Sequence, residues 1–574
     1  MELTLALLKV FDLPKDKIIW DVSHQAYAYK ILTGRLKDFH TLRQYGGISG
    51  FSRPEESIYD TTIAGHASTS ISSAIGITLA NDILGNEGKA VAVIGDGALT
   101  GGVALEALNN IGAFKKNIII VLNDNEMSIS QNVGGFSAYL SKSLTGAVAT
   151  KMRYDFKQAA GDAPFGSTVL KIAKKMEKIM ISAVSPGSFF ENLGIRYIGP
   201  IDGHNIKEVA TALTNAKLQK RPVLVHIATK KGKGYAHAEN KPDIFHGVSS
   251  FNKETGAALG KSTSLSWTNV FGNKLCCMAE KHKNIAAITA AMKDGTGLTE
   301  FASKYSDRFF DVGIAEQYAL AFASGLAVAG MKPYCAIYST FLQRAYDQII
   351  HDIAIAGLPV TICVDRGGFV GADGSTHHGI YDIAYLLAVP NLTIMLPKDK
   401  YELEAMLELS YELNCPVAIR YARGNVYDNK NLPQNKLELG KVEVIDNLSD
   451  IVIISIGHIF EEVYRAYNKL KEENQNVSLI NLRFAKPIDS DYLCSLLKDK
   501  KMVITVEEGA LLGGAGQMIT ALINNNEFDI PCRNIAVEDK FFEHGSVAEL
   551  RHDAGIDALS IYEKIKSFML KAKK

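Results

Sequence analysis

Short apolar runs without strict alternation recur along this chain, and they constrain its fold more than any other feature. Residues 90–94, 118–122, 223–228, 285–289, 334–338, 360–364 and 392–396 are such runs, bounded by Gly, Pro or Asn and separated by segments with helical spacing. Strands of this kind are buried on both faces, which is the environment of a parallel sheet covered by helices. A further set at 451–456, 477–482, 502–506 and 533–537 reads as a separate C-terminal α/β unit. Two polar stretches, 247–266 and 423–440, read as linkers. The expected fold class is therefore α/β, with three domains of mostly parallel sheets flanked by helices, at about 1–250, 265–425 and 440–574. A chain of 574 residues that is 47% hydrophobic can bury that many cores.

Charge and composition narrow the function classes. Lys plus Arg and Asp plus Glu each total 62, a neutral balance that argues against nucleic acid or an anionic membrane as the main partner. Seven scattered cysteines without a Cys-x-x-Cys pair offer neither a disulfide framework nor a thiolate zinc site. The longest uncharged stretch, 61–81, is too rich in Ser, Thr and Gly to span a bilayer, and 317–331 is too short. No basic segment, apolar core or cleavage site follows Met1. A soluble, cytoplasmic protein is expected.

Chemistry concentrates where the run at 90–94 meets Gly95-Asp96-Gly97. A helical pattern through Val103, Ala107 and Ile111 follows, and then a second run that ends at Asn123-Asp124-Asn125. This is one strand–helix–strand unit of about thirty residues, the length of a parallel crossover. It puts Asp96 and Asn125 at the carboxyl ends of strands, the edge where open α/β sheets bind ligands. Gly95-x-Gly97-x-x-Thr100 narrowly misses a dinucleotide fingerprint, and Asp96 would repel a bare pyrophosphate. A divalent cation between carboxylate and diphosphate resolves the conflict, because carboxylate and amide oxygens are hard ligands suited to Mg²⁺. Alone, Gly-Asp-Gly reads as a turn; paired with Asn-Asp-Asn at this spacing it reads as a metal–diphosphate site. About a hundred residues separate Asn123 from the run at 223, and 137–184 carries eight Lys/Arg against three Asp/Glu. That helical insertion is either a solvated excursion or a lid over an anionic ligand.

The pairing resembles the cofactor motif of thiamine diphosphate-dependent enzymes. Asp21-Val22-Ser23-His24-Gln25-Ala26-Tyr27, Gly65-His66-Ala67-Ser68-Thr69-Ser70, Asn123-Asp124-Asn125-Glu126-Met127-Ser128-Ile129-Ser130, Ala315-Glu316-Gln317 and Tyr338-Ser339-Thr340-Phe341-Leu342-Gln343-Arg344-Ala345-Tyr346-Asp347 are similar to one family, 1-deoxy-D-xylulose-5-phosphate synthase. The likeness covers essentially the whole chain. It implies a transketolase-type transferase that condenses pyruvate with D-glyceraldehyde 3-phosphate, releases CO2 and feeds isoprenoid and, in many bacteria, thiamine synthesis. It also implies thiamine diphosphate, Mg²⁺ and a homodimer.

By the same resemblance, Asp96, Asn125 and the Met127 carbonyl hold Mg²⁺, while Gly65, His66, Ala67, Gly97, Ala98 and Tyr235 contact the cofactor. His24 lies beside its reactive centre, with Ile129 and Ile314 packing around it and Phe341 stacking on the pyrimidine. Glu316 bonds the aminopyrimidine ring nitrogen and promotes the imino form that removes the thiazolium proton. Without the resemblance, a Glu at a helix start reads as a dipole partner. Tyr338, Arg344, Arg366 and Arg423 form the triose-phosphate site, where guanidinium groups suit bidentate phosphate binding. Asp373 and His377 lie near the pyruvate-derived adduct, in proton transfer or orientation.

The chain also departs from the family pattern. A segment with a Gly-His pair usually precedes Glu2-Leu3-Thr4, Ser23 stands where Gly is usual, and Tyr318 stands where His usually follows Glu-Gln. Gly256 to Ser262 imitates a phosphate loop but has three residues between its glycines where four are needed, and no strand before it. The alternatives are another thiamine diphosphate enzyme of transketolase type or a catalytically impaired homologue.

Overall fold

A computed structural model of the chain describes residues 1–125, 127, 134–144, 187–242, 244–247, 250–259, 264–429, 432 and 435–572. Ile129 and most of the expected insertion, 145–184, lie outside the described residues. The chain divides into two compact units: Met1–Phe39, Gly50–Lys261 and Gly313–Ala315 form the first, and His40–Ser49, Ser262–Val312 and Glu316–Lys574 the second.

The first unit contains β1 (Lys17–Trp20), β2 (Ala90–Gly95), β3 (Ile119–Asp124), β4 (Arg196–Asp202) and β5 (Val223–Ala228). They form one sheet of order β1-β2-β3-β5-β4, in which every pairing is parallel. Alternate residues of β2 face opposite cores: Ala90, Ala92 and Ile94 pack with Ala104, Ala107, Leu108 and Ile111 of the helix Gly102–Ile111. Val91 and Val93 pack with Leu3, Leu7, Val209 and Leu213 on the other side. Two-sided burial explains why the sequence shows runs here and no alternation.

In the second unit the strands are β6 (Ile285–Thr289), β7 (Phe309–Asp311), β8 (Lys332–Tyr338), β9 (Thr361–Gly367), β10 (Thr393–Met395), β11 (Val417–Ala422), β12 (Glu443–Asp446), β13 (Ile451–Ile456), β14 (Val477–Asn481), β15 (Phe484–Lys486), β16 (Met502–Ala510) and β17 (Cys532–Val537). Two sheets result, ordered β15-β10-β11-β9-β8-β6-β7 and β12-β14-β13-β16-β17. All neighbours are parallel except the edge pairs β10–β15 and β12–β14. Because β15 follows β14 yet pairs with β10, the two sheets are sewn together, and one apolar core runs through Ile362, Val364, Ile394, Val452, Ile454 and Ile480.

A buried ionic cluster sits at this seam. The Lys398 ammonium lies 3.0 Å from Glu402 and 2.8 Å from Glu443, and Arg483 lies 2.6 Å from Glu402 and 3.0 Å from Glu443. Asn481 also donates to Glu402 at 2.9 Å. Desolvated charges are tolerable only when each keeps its partner. Lys398→Met is therefore expected to destabilise the chain by about 3–5 kcal/mol, read as a lower urea midpoint. Lys15→Met, at the exposed Lys15–Glu87 pair, should leave the midpoint in place.

Candidate active site

In the first unit, Gly95 of β2 is in register with Asn123 of β3, so Asp96 and Asn125 leave neighbouring parallel strands at one edge. Asp96 is buried and opens the short helix Asp96–Leu99, which carries Gly97 and Ala98. Asn125 Oδ1 accepts the Met127 amide at 3.1 Å, and an amide oxygen has a second lone pair to offer. Among the described residues, no group of three or more His, Cys, Asp or Glu is arranged to hold a metal. The donors that the resemblance names at this edge are one carboxylate, one amide oxygen and one backbone carbonyl. That set fits Mg²⁺, which completes its octahedron with phosphate oxygens and water.

Three motifs converge on the same edge through Asp21 and Ser68. The buried Asp21 carboxylate accepts the Ser68 amide at 2.7 Å and the Ser70 amide at 3.0 Å, where the helix Ser70–Leu84 starts. Ser68 Oγ in turn donates to the Ala98 carbonyl at 2.8 Å. Gly65, His66, Ala67, Gly97 and Ala98 are thereby drawn together. A Cβ on Gly101 would lie 2.2 Å from Ser68 Oγ, so only glycine fits there. Val22, Ser23 and Ser68 all adopt left-handed backbone (φ 58°, 67° and 81°), strain of the kind that clusters at functional sites. At Ser23, where the sequence comparison expects Gly, the hydroxyl accepts the Ser52 amide at 2.8 Å.

His24 is exposed on this turn, and its ring lies 5.3 Å from that of His246. Burial lowers the His246 pKa to about 4, which leaves a neutral imidazole at pH 7. Tyr235 packs among Phe245, Phe251 and His237, and its hydroxyl donates to the Lys253 carbonyl at 2.8 Å. Ile314, in the Gly313–Ala315 segment, packs against the core that includes Ala67 and Ala98.

In the second unit, Glu316 opens the helix Glu316–Val328 and is buried, 4% exposed. Burial raises its pKa, opposed by Arg344, whose guanidinium stands 4.0 Å away. Tyr338 ends β8; its ring stacks on Phe341 at 5.6 Å, and Arg366 lies 3.8 Å over its face. The Tyr338 hydroxyl is buried with no hydrogen-bond partner among the described residues. Arg423, just past β11, donates to the Val370 carbonyl at 2.6 Å and to Asp373 at 3.1 Å. The His377 ring meets the edge of Phe341 at 5.5 Å, and its Nδ1 lies 2.9 Å from Thr376 Oγ1. Burial alone would raise the Asp373 pKa, but His377, Arg423 and Arg43 together hold it below the usual carboxylate range.

The second unit thus brings together Tyr338, Phe341, Arg366, Asp373, His377 and Arg423, and it pairs Glu316 with Arg344. Arg43, which the sequence reading passed over, donates to Asp373 at 2.6 Å and to the Ala372 carbonyl at 3.3 Å from a left-handed backbone (φ 63°). His246 was passed over as well.

Residues 1–229 match a family profile described as 1-deoxy-D-xylulose-5-phosphate synthase; 263–428 and 440–561 match the pyrimidine-binding and C-terminal domains of transketolase. A protein named 1-deoxy-D-xylulose-5-phosphate synthase from Caldanaerobacter subterraneus is 49% identical over 568 residues, 98% of this chain and 91% of its own. Its namesake from Desulfotalea psychrophila is 47% identical over 98% of this chain and 88% of its own. This chain belongs to the 1-deoxy-D-xylulose-5-phosphate synthase family.

As in the family it belongs to, 1-deoxy-D-xylulose-5-phosphate synthase, the chain carries Glu-Gln at 316–317; the following Tyr318 is 57% exposed and stacked on Phe322. Beneath the arginines, Asp365 is fully buried, with Thr268 Oγ1 donating to it at 3.1 Å. Burial lifts the Asp365 pKa to about 7, with Arg366 and Thr268 opposing. A carboxyl whose folded pKa exceeds its unfolded 3.8 costs stability progressively as pH rises from about 4 to about 7. Asp365→Asn removes that cost, so its melting temperature relative to wild type should be higher at pH 8 than at pH 5. An equal difference at both pH values would contradict the buried, protonated carboxyl.

Proposed function

We propose that this chain condenses pyruvate with D-glyceraldehyde 3-phosphate, releases CO2 and forms 1-deoxy-D-xylulose 5-phosphate, using thiamine diphosphate and Mg²⁺. The observation that carries the reading is Glu316: a buried carboxyl with a raised pKa, at the start of a helix within Ala315-Glu316-Gln317. Burial that raises the pKa makes it easier for such a carboxyl to share a proton with a ring nitrogen than for an exposed glutamate. Thiamine diphosphate, when bound, supplies the carbanion chemistry.

The protein's own groups do the remaining work. Asp96, Asn125 Oδ1 and the Met127 carbonyl hold Mg²⁺, and the turn from Gly65 to Ala67 with Gly97 and Ala98 receives the diphosphate. When bound, the cofactor would be lined by Tyr235 and Ile314, with Phe341 against its pyrimidine and His24 beside its reactive carbon. Arg344, Arg366 and Arg423, with the Tyr338 hydroxyl, bind the triose phosphate. Asp373 and His377 orient the pyruvate-derived oxygens and move protons among them.

The chain acts as a cytoplasmic homodimer. Exposed Tyr318 and Val328 on the Glu316 helix, and exposed Ile355, support burial against a second copy. Among the described residues, no helix is long and apolar enough to cross a membrane.

Purified protein supplied with Mg²⁺, thiamine diphosphate, pyruvate and D-glyceraldehyde 3-phosphate should form the deoxyketose phosphate, and ketose phosphates should not replace pyruvate as donor. Glu316→Ala should lower turnover by at least about 100-fold. Asp96→Ala should abolish Mg²⁺-dependent cofactor binding, read by calorimetry. Persistent turnover in either variant would contradict the assignment.

A further inference from the structure

The loop that bears Asp373 and His377 is closed at its neck, and the neck is held by the C-terminal region. Gly368 and Gly379 exchange backbone hydrogen bonds of 2.6 and 2.8 Å, which pins the two ends of the loop together. Glu508, in β16, accepts the Phe369 amide at 2.8 Å. Arg420, in β11, donates to the Gly379 carbonyl at 2.9 Å and to the Glu508 backbone carbonyl at 2.9 Å. A Cβ on Gly368 would come within 2.8 Å of both Glu508 Oε1 and His458 Nε2, so the neck lies directly against this pair.

The side chains behind the neck form one directional chain. Burial keeps His458 below its ordinary pKa, hence neutral. Its Nε2–H then donates to Glu508 at 3.1 Å, and its Nδ1 accepts from Arg420 at 3.3 Å. Arg551 adds contacts of 2.9 and 2.7 Å to the same Glu508 oxygen. On the far side, Arg420 Nε grips both Asp382 oxygens at 2.9 and 2.8 Å. Asp382 accepts Ser339 Oγ at 2.8 Å, one residue after Tyr338 and two before Phe341.

We propose that Glu508, working through His458 and Arg420, is a positioning residue that fixes the 368–379 loop and thereby the placement of Asp373 and His377. The proposal rests on the reading of that loop as part of the active site. Burying four charges here is costly, and apolar residues could fill the same space. What apolar residues could not do is bond the loop's backbone at both ends. Catalytic side chains need placement to about 0.5 Å, and a loop obtains that only from rigid support.

The test uses the full-length holoenzyme with Glu508→Gln, which keeps shape and removes charge. Amide exchange in peptides spanning 368–379 should speed up at least about tenfold, while exchange in β6, β8 and β13 stays as in wild type. Turnover should fall about 10- to 100-fold, the scale of one charge-assisted hydrogen bond, with thiamine diphosphate affinity unchanged. Glu508→Asp, which restores the charge on a shorter arm, should recover part of the loss. Unchanged exchange in the loop, or acceleration spread evenly over the unit, overturns the proposal. Should Glu508→Gln fail to fold, His458→Gln leaves the Glu508–Arg551 pair in place, and the same loop exchange decides. A wild-type enzyme inactive toward pyruvate and triose phosphate would sink the proposed function, while the exchange result would still decide the anchor.

Discussion

A parallel sheet delivers the carboxyl end of every strand to one edge, and the chemistry of this chain depends on that constraint. Two neighbouring strands in register, β2 and β3, suffice to set a carboxylate and a carboxamide side by side. The second unit repeats the device: Tyr338, Arg366 and Arg423 lie at or just past the carboxyl ends of the adjacent strands β8, β9 and β11. No global charge is needed for anionic ligands, because the edge concentrates a few cationic groups and one candidate metal position in a neutral chain.

The apolar runs announced the central strands because burial on both faces leaves a composition signal that local reading can detect. Residues 223–228, 285–289 and 451–456 coincide with β5, β6 and β13. The strands that escaped carry that signal weakly or not at all; β1, with three buried residues, is too short for it to stand out. β4 contains Gly199-Pro200 and is half exposed, β12 is an antiparallel edge, and β15 has three residues. Site geometry divides similarly. Asp96 and Asn125 belong to one crossover that encodes its own register, whereas Arg43 and Asp373 are 330 residues apart and meet only through tertiary folding. His246 sits in a three-residue turn with no motif of its own.

Burial acts on two carboxyls near the same edge. Glu316 pairs with Arg344 at 4.0 Å, which tempers the effect of desolvation without cancelling it. Asp365 is fully buried and accepts the Thr268 hydroxyl, while Arg366 and Arg423 offset part of the rise that burial causes. The same physical cause thus raises both carboxyls, and the neighbouring polar and charged atoms set how far each rise is offset.

The sewing of β15 onto β10 also has a consequence for biogenesis. Until residue 486 has left the ribosome, β10 presents a row of unpaired backbone donors and acceptors at the margin of the seven-stranded sheet. A fragment ending near residue 428 would carry that open margin into solution, ready to pair with another chain.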